Sequence, residues 1–371
     1  MTEIRLMRPD VRFDEVEDDI REILESGLLT GGRHVTSFEE EVAARCGVDH
    51  AVATTSATTA LHLALAALDI GRGDEVLVAD FTFPATANVV VQTGATPVLV
   101  DSGADDFAVD PGALEASLTS RTAAAMPVDP FGQPADHEAI EKIAVDAGIP
   151  VIADAACSLG ATRHGRPAGS HGLVGCFSFH PRKMVTCGEG GMITTDDSAV
   201  ADRLRLLRSH GMRRDGVAMR FDEPGFNYRM SEIQAALGRS QLRRLDEILA
   251  DRRRTATAYD ERLIDVAGVT VMQPDDGIAW SYQSYVVVLD DGIDRDAVIT
   301  ALRAAEIETT IGTYACHAQP AFARYGYRAG DLPNSARYQA QVLTLPLVPS
   351  MPPALVDRVG CELERALCSQ A

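Results

Sequence analysis

Between about residues 50 and 195, short apolar runs alternate with segments whose apolar positions recur at helical spacing. ATTALHLALAALDIG predicts a helix stopped by Gly71, and DEVLVAD a short buried strand. PATANVVVQTG predicts a helix that opens at Pro84 and closes at Gly94. Proline costs a first turn nothing, and glycine readily takes the left-handed conformation that ends a helix. TPVLVD, TAAAMPVD and IPVIADAA read as further strands, and PGALEASL and ADHEAIEKIAVDAG as helices. Nearly continuous apolar strands separated by helices predict a mostly parallel sheet covered on both faces. GLVGCFSF and MITTD are two more strand-like runs, divided by the turn signal Gly188-Glu189-Gly190-Gly191.

The rhythm then changes. After a helix in SAVADRLRLLRSHG the chain is polar and irregular to Tyr228, and a long helical pattern runs from about Ser231 to Leu263. Arg252, Arg253 and Arg254 within it are expected on a solvated face. Beyond about residue 265, SYVVVL predicts a strand, and RDAVITALRAAEI, NSARYQAQVLTL and PPALVDRVGCELERAL predict helices. The expected organisation is an N-terminal segment plus a large α/β domain over 1–245. A long connecting helix and a smaller α+β domain occupy 246–371.

The 371 residues carry a formal charge of -20, with 46% hydrophobic and 24% charged residues. That balance suits a globular enzyme and opposes general binding to nucleic acid or an anionic membrane, which need a basic surface. The seven cysteines form no CxxC pair and the nine histidines no metal-ligand spacing, so no metal is expected. The N-terminus is acidic with no apolar leader, and no uncharged stretch is long enough to span a bilayer. A cytoplasmic protein is expected.

Only two of the 34 basic residues are lysine, Lys142 and Lys183. Arginine serves equally as surface charge but cannot give up its proton, so chemistry that needs a free amine needs lysine. Lys142 falls on the polar face of a helical pattern. Lys183 instead comes after a strand-like run and precedes the glycine-rich turn, in FSFHPRKMVTCGEGG. Three other stretches could serve with it. ATTSATTALH runs small and hydroxyl residues into a helix, whose N-terminus suits a phosphate; alone such a cluster is usually just an N-cap. Asp154 stands at the carboxyl end of a strand, where open α/β sheets place ligand contacts, and Ser178 ends another. A phosphate cradle, an acid for a ring nitrogen and an uncrowded amine that can form a Schiff base together point to pyridoxal 5'-phosphate, cycling through pyridoxamine 5'-phosphate.

With these blocks in order, the sequence resembles the DegT/DnrJ/EryC1/StrS family of sugar aminotransferases, within the fold type I, aspartate aminotransferase-like group. The likeness runs from GLLTGGRHVTSFEEEVAARCGVDHAVATTSATTALHLAL through VIADAACSLGA, FSFHPRKMVTCGEGGMITT and GFNYRMSEIQAALG to DLPNSARYQAQVLTLPLVPSM. It implies that Lys183 binds the cofactor and shuttles the proton, and that Asp154 pairs with the pyridine nitrogen. Ala57, Thr58 and Ser178 would hold the phosphate, and Phe83 would lie against the ring. Asn227 would reach the phosphate of a neighbouring subunit, making the active unit a homodimer with shared sites. His180, Arg229, Tyr314 and His317 would line the substrate side. The implied reaction passes an amino group from glutamate to a nucleotide-linked keto sugar. The loop's His180, Thr186 and Cys187 resemble the 4-keto-sugar members in particular.

The chain departs from the family pattern at three places. Ala57 stands where glycine is usual, Cys157 where glutamine or histidine is usual beside the ring's phenolic oxygen, and Val348 where many relatives have histidine. Rival readings are a glutamine-dependent aminotransferase of keto-cyclitols or aminoglycoside precursors and a cofactor-binding regulator without turnover. A dehydratase would replace the lysine with histidine. A cysteine desulfurase would need a mobile nucleophilic cysteine, for which Cys316 is the loop candidate.

Overall fold

The computed structural model describes residues 3–370. Seven strands form the large sheet: β1 (His50–Thr54), β2 (Glu75–Ala79), β3 (Thr96–Val100), β4 (Thr122–Met126), β5 (Ile152–Asp154), β6 (Val174–Ser178) and β7 (Gly191–Thr195). One ladder runs β1-β7-β6-β5 and another β3-β2-β4. Single parallel bridges, Ala125 to Val151 and Val128 to Asp154, join β4 to β5 and complete the order β1-β7-β6-β5-β4-β2-β3. Only β7 runs antiparallel to its neighbours. The apolar strands predicted from the pattern are these strands, and β2 and β7 are buried along their whole length.

Two helices start at the carboxyl edge of this sheet, shortly after β1 and β2 end. α1 (Ala57–Ala67) is apolar nearly all round, with Leu61, Leu63 and Leu65 buried, because it is packed between the sheet and the helix Ser198–Arg208. It opens with a capping box in which the Ser56 hydroxyl accepts from the Thr59 amide and the Thr59 hydroxyl from the Ser56 amide. α2 (Ala85–Thr93) begins after Pro84 and ends at Gly94 in the left-handed region.

The long helical pattern is two helices rather than one: α3 (Glu232–Arg243) and α4 (Leu245–Leu263), parted at Arg244, whose backbone leaves helical geometry. The Arg244 side chain is tied down by Asp10 and Glu15 from the N-terminal segment. The arginine run is not a solvated face. Arg252 is buried and donates to the carbonyls of Tyr282 and Gln283, and Arg253 donates to that of Trp280. Arg254 alone stays exposed, beside Asp251.

The second sheet comprises β8 (Val269–Val271), β9 (Tyr285–Leu289), β10 (Thr310–Ile311) and β11 (Val342–Leu345), antiparallel in the order β8-β9-β11-β10. The segment NSARYQAQVLTL is therefore helix only to Gln341 and strand from Val342. The first described residues, expected with the large domain, pair with this smaller unit. Ile4 bridges Ile307 and belongs to the core of Tyr259, Val287 and Leu363. Phe81, Phe107 and Phe131 of the large sheet's side meet Val286, Tyr338 and Val342 in one cluster that joins the two units. The polar stretch before Tyr228 folds into an exposed hairpin, Met212–Asp215 with Ala218–Phe221. Among the described residues no helix is long and apolar enough to cross a membrane.

Candidate active site

The carboxyl ends of β5 and β6, the start of α1 and the loop after β6 converge on a cavity of about 620 Å³. Asp154, Cys157, Ser178 and Lys183 line it, and so do Ala57, Thr58, Phe83 and His180. Eight of the twelve residues singled out from the sequence thus meet in one place, although they span more than 120 positions of the chain.

The lysine loop is held at both ends. Phe179 donates its amide to the Gly190 carbonyl, and its own carbonyl accepts from the Cys187 amide and the Thr186 hydroxyl. Met184, Val185 and Cys187 are buried, which leaves Lys183 on a turn closed by its amide to the His180 carbonyl. Its Nζ lies 3.0 Å from Sγ of Cys157.

Asp154 ends β5 and is 5% exposed. Its carboxylate accepts from the Thr86 hydroxyl at 2.7 Å and the Ala156 amide at 3.1 Å. Burial pushes its pKa above the ordinary carboxylate value, against the pull of those bonds and of Lys183 nearby. A protonated ring nitrogen set against it would remove that penalty. Thr86 was not visible as a site residue in the sequence. Its signal is its place in the first turn of α2, three residues after Phe83.

At the opposite wall, Ala57 and Thr58 occupy the first turn of α1, whose amides precede the helix's own hydrogen bonds. Gly191 of β7 lies between Thr54 and Ser178 in the sheet. A Cβ at Gly191 would come within 2.3 Å of the Ser56 carbonyl oxygen, so the strand approaches the helix start as closely as it does only with glycine there. A dianionic group fits this corner, and a flat cationic ring fits between it and Asp154. The donor set thus suits a phosphorylated pyridine aldehyde.

Phe83 is 65% exposed, and its ring meets the edge of Tyr314 with centroids 6.4 Å apart. The His180 ring accepts from the Arg182 amide, and burial pulls its pKa down. The remaining four predicted residues do not line this chain's own cavity. Asn227 is exposed and bridges Ser209, and Arg229 carries a buried Nη1 with no hydrogen-bond partner. Tyr314 stands beside Phe83. His317 is turned away, its ring Nδ1 2.6 Å from Asp80. Cys316 is buried, and burial pushes its thiol well up, which leaves no mobile thiolate for desulfurase chemistry. Val348 packs against the core of the smaller unit.

Asp19, Glu22 and His34 bring ligand atoms within 4.8 Å of one another, away from this cavity. Glu22 there is engaged by Arg33, and the His34 Nδ1 by Arg239.

The chain is 42% identical over 362 residues to GDP-perosamine synthase of Caulobacter vibrioides, covering 96% of each. It is 39% identical over 366 residues to the spore coat polysaccharide biosynthesis protein SpsC of Bacillus subtilis, covering 95% of this chain and 94% of that one. Among solved structures, Spr1654 from Streptococcus pneumoniae superposes with a TM-score of 0.94 at 26% identity over the whole of both chains in its PLP form, and it has also been solved in a PMP form. The model of the DegT/DnrJ/EryC1/StrS aminotransferase family matches residues 12–364, and the chain is a member of that family of aminotransferases.

Proposed function

We propose that this protein binds pyridoxal 5'-phosphate and transfers an amino group from glutamate to a nucleotide-linked keto sugar, acting in the cytoplasm as a homodimer. The observation that carries the reading is the placement of the Lys183 amine, the buried Asp154 carboxylate and the first turn of α1 around one cavity. When bound, the cofactor supplies an aldehyde carbon and an electron-withdrawing ring. Every other task falls to the chain. Ala57, Thr58 and Ser178 would bind the phosphate, Phe83 would orient the ring, and Asp154, held by Thr86, would keep the ring nitrogen protonated. Lys183 would offer the amine that holds the group and would move the proton at the substrate carbon.

A sugar acceptor is supported by the relatives, whose names refer to perosamine and to spore coat polysaccharide. The pattern of His180, Thr186 and Cys187 in the lysine loop favours a 4-keto sugar. The purified protein would be incubated with glutamate or glutamine and a panel of nucleotide 4-keto and 3-keto sugars and keto-cyclitols, with products weighed by mass spectrometry. A mass change for amine in place of ketone on a nucleotide sugar is expected with glutamate. Transfer confined to keto-cyclitols, or no transfer to any acceptor, would refute the reading.

A further inference from the structure

We propose that His317 is a positioning residue: its bond to Asp80 clamps the segment 310–317 of the smaller unit onto the short strand Phe81–Thr82 that leads into Phe83, and so sets the wall on the acceptor side of the cavity. This role presupposes that the cavity is the aminotransferase site.

Asp80 directly succeeds β2 and is completely buried. A buried carboxylate is costly unless charge and hydrogen bonds compensate it. The hydrogen bonds come from His317, whose backbone amide donates to Oδ1 at 2.7 Å and whose ring Nδ1 lies 2.6 Å from Oδ2. The Cys316 amide adds a bond to the Asp80 carbonyl at 2.8 Å. The His317 side chain is 4% exposed and lines no part of the cavity. Its ring is thus committed to Asp80 and cannot meet a substrate there.

The clamped segment is what makes the pair matter. At one end, Thr310 and Ile311 pair with β11 of the smaller sheet. At the other, Tyr314 and Ala315 pair with Thr82 and Phe81, the residues just before Phe83. Between the two anchors, Gly312 and Thr313 face the cavity together with Thr310, and the Tyr314 ring rests against Phe83. Two-residue strand pairs are weak on their own. The bonds to Asp80 are the tether just beyond the second pair, so they fix where this wall stands.

The test compares three variants of the full-length, cofactor-loaded protein. Asparagine can place its side-chain N–H where Nδ1 was, whereas glutamine places it nearer the other ring nitrogen. In His317→Ala and His317→Gln, amide exchange over 310–317 should rise, and KM for the keto-sugar acceptor should rise by about tenfold or more, the scale of a lost hydrogen bond to a buried carboxylate. The fall in kcat should be smaller than the rise in KM. The borohydride-reducible link to Lys183 should form to the wild-type extent. His317→Asn should recover most of the loss in both KM and exchange. Any other ranking overturns the proposal. Rescue by glutamine but not asparagine would mean that the ring's other edge does the work, and unchanged exchange in all three would mean that there is no clamp. Failure of the underlying aminotransferase reading shows separately, as a wild-type protein that forms no reducible link at Lys183.

Discussion

The Nζ of Lys183 lies 3.0 Å from the Sγ of Cys157. The position where the resemblance leads one to expect glutamine or histidine is filled here by a thiol in contact with the amine. A thiol is a weak hydrogen-bond partner, so Cys157 holds the lysine only loosely. In the cofactor-free protein this thiol lines an open cavity and should be alkylated by iodoacetamide, with peptide mass mapping placing the label on Cys157. Saturating pyridoxal 5'-phosphate should slow that labelling by at least about tenfold, since a site ligand protects in proportion to its occupancy. Equal rates with and without cofactor would place the cofactor elsewhere.

Lys183→Arg should abolish turnover. The guanidinium keeps the charge but stays protonated and cannot attack a carbonyl carbon. Absorbance spectra should lose the yellow lysine-linked band while circular dichroism stays that of the wild type. A borohydride-reducible adduct persisting in the variant would show that another amine does the work.

Asp154→Asn should act in opposite directions on the two forms of the protein. Burial raises the pKa of Asp154, so the folded cofactor-free protein favours the protonated acid. Below the ordinary carboxylate pKa this costs nothing. As pH rises through that value toward the raised one, the folded state must either keep the proton or bury the charge, and stability falls. The amide escapes this cost, so at neutral pH the cofactor-free variant should melt about a degree or more above the wild type. The loaded variant should lose most of its activity, because a neutral amide cannot balance a ring cation. A rate within about twofold of the wild type would contradict the assignment, since a charged contact in a dry site is worth more than ~1 kcal/mol.

Gly191→Ala should weaken cofactor binding without touching the chemistry. The new methyl would fall on the Ser56 carbonyl and push the start of α1 from the strand ends. Overpacking of this kind costs roughly 1–3 kcal/mol. The dissociation constant for the cofactor should rise by about tenfold or more in a fluorescence titration, with the link to Lys183 still forming at saturation. Unaltered affinity would mean that the phosphate lies away from this corner.

The shared-site expectation turns on Asn227, which is exposed and outside its own chain's cavity. Lys183→Ala and Asn227→Asp should each be inactive alone. Mixed in equal amounts under conditions of subunit exchange, they should regain about a quarter of the wild-type activity per site. Half the dimers are then mixed, and each mixed dimer keeps one intact site. Confirmed exchange without recovery would mean that Asn227 serves its own site or none.

Most of the large sheet's strands and helices, in their order along the chain, and the residues proposed to carry the chemistry, were legible before folding. Uninterrupted apolar strands can be covered only by helices on both faces, and a lysine in a chain otherwise served by arginine marks a need for a free amine. Lys183 stood out because arginine cannot supply a free amine, and Asp154 because it is a carboxylate at the carboxyl end of a strand. Other features depend on contacts between distant parts of the chain. Arg252 and Arg253 looked solvated because a helical pattern does not show the carbonyls of Trp280, Tyr282 and Gln283 that wait across the fold for donors. The helix of NSARYQAQVLTL stops at Gln341 because Val342 pairs at once with β9, and that strand pairing outweighs helical periodicity. Ile4 joins the smaller unit through Ile307, about three hundred residues away. Thr86 is an ordinary polar residue in the sequence, and His317 stood out only by resemblance, on the substrate side. They matter because folding sets buried carboxylates, Asp154 and Asp80, beside them, and a buried charge takes its partners from whatever the fold brings near.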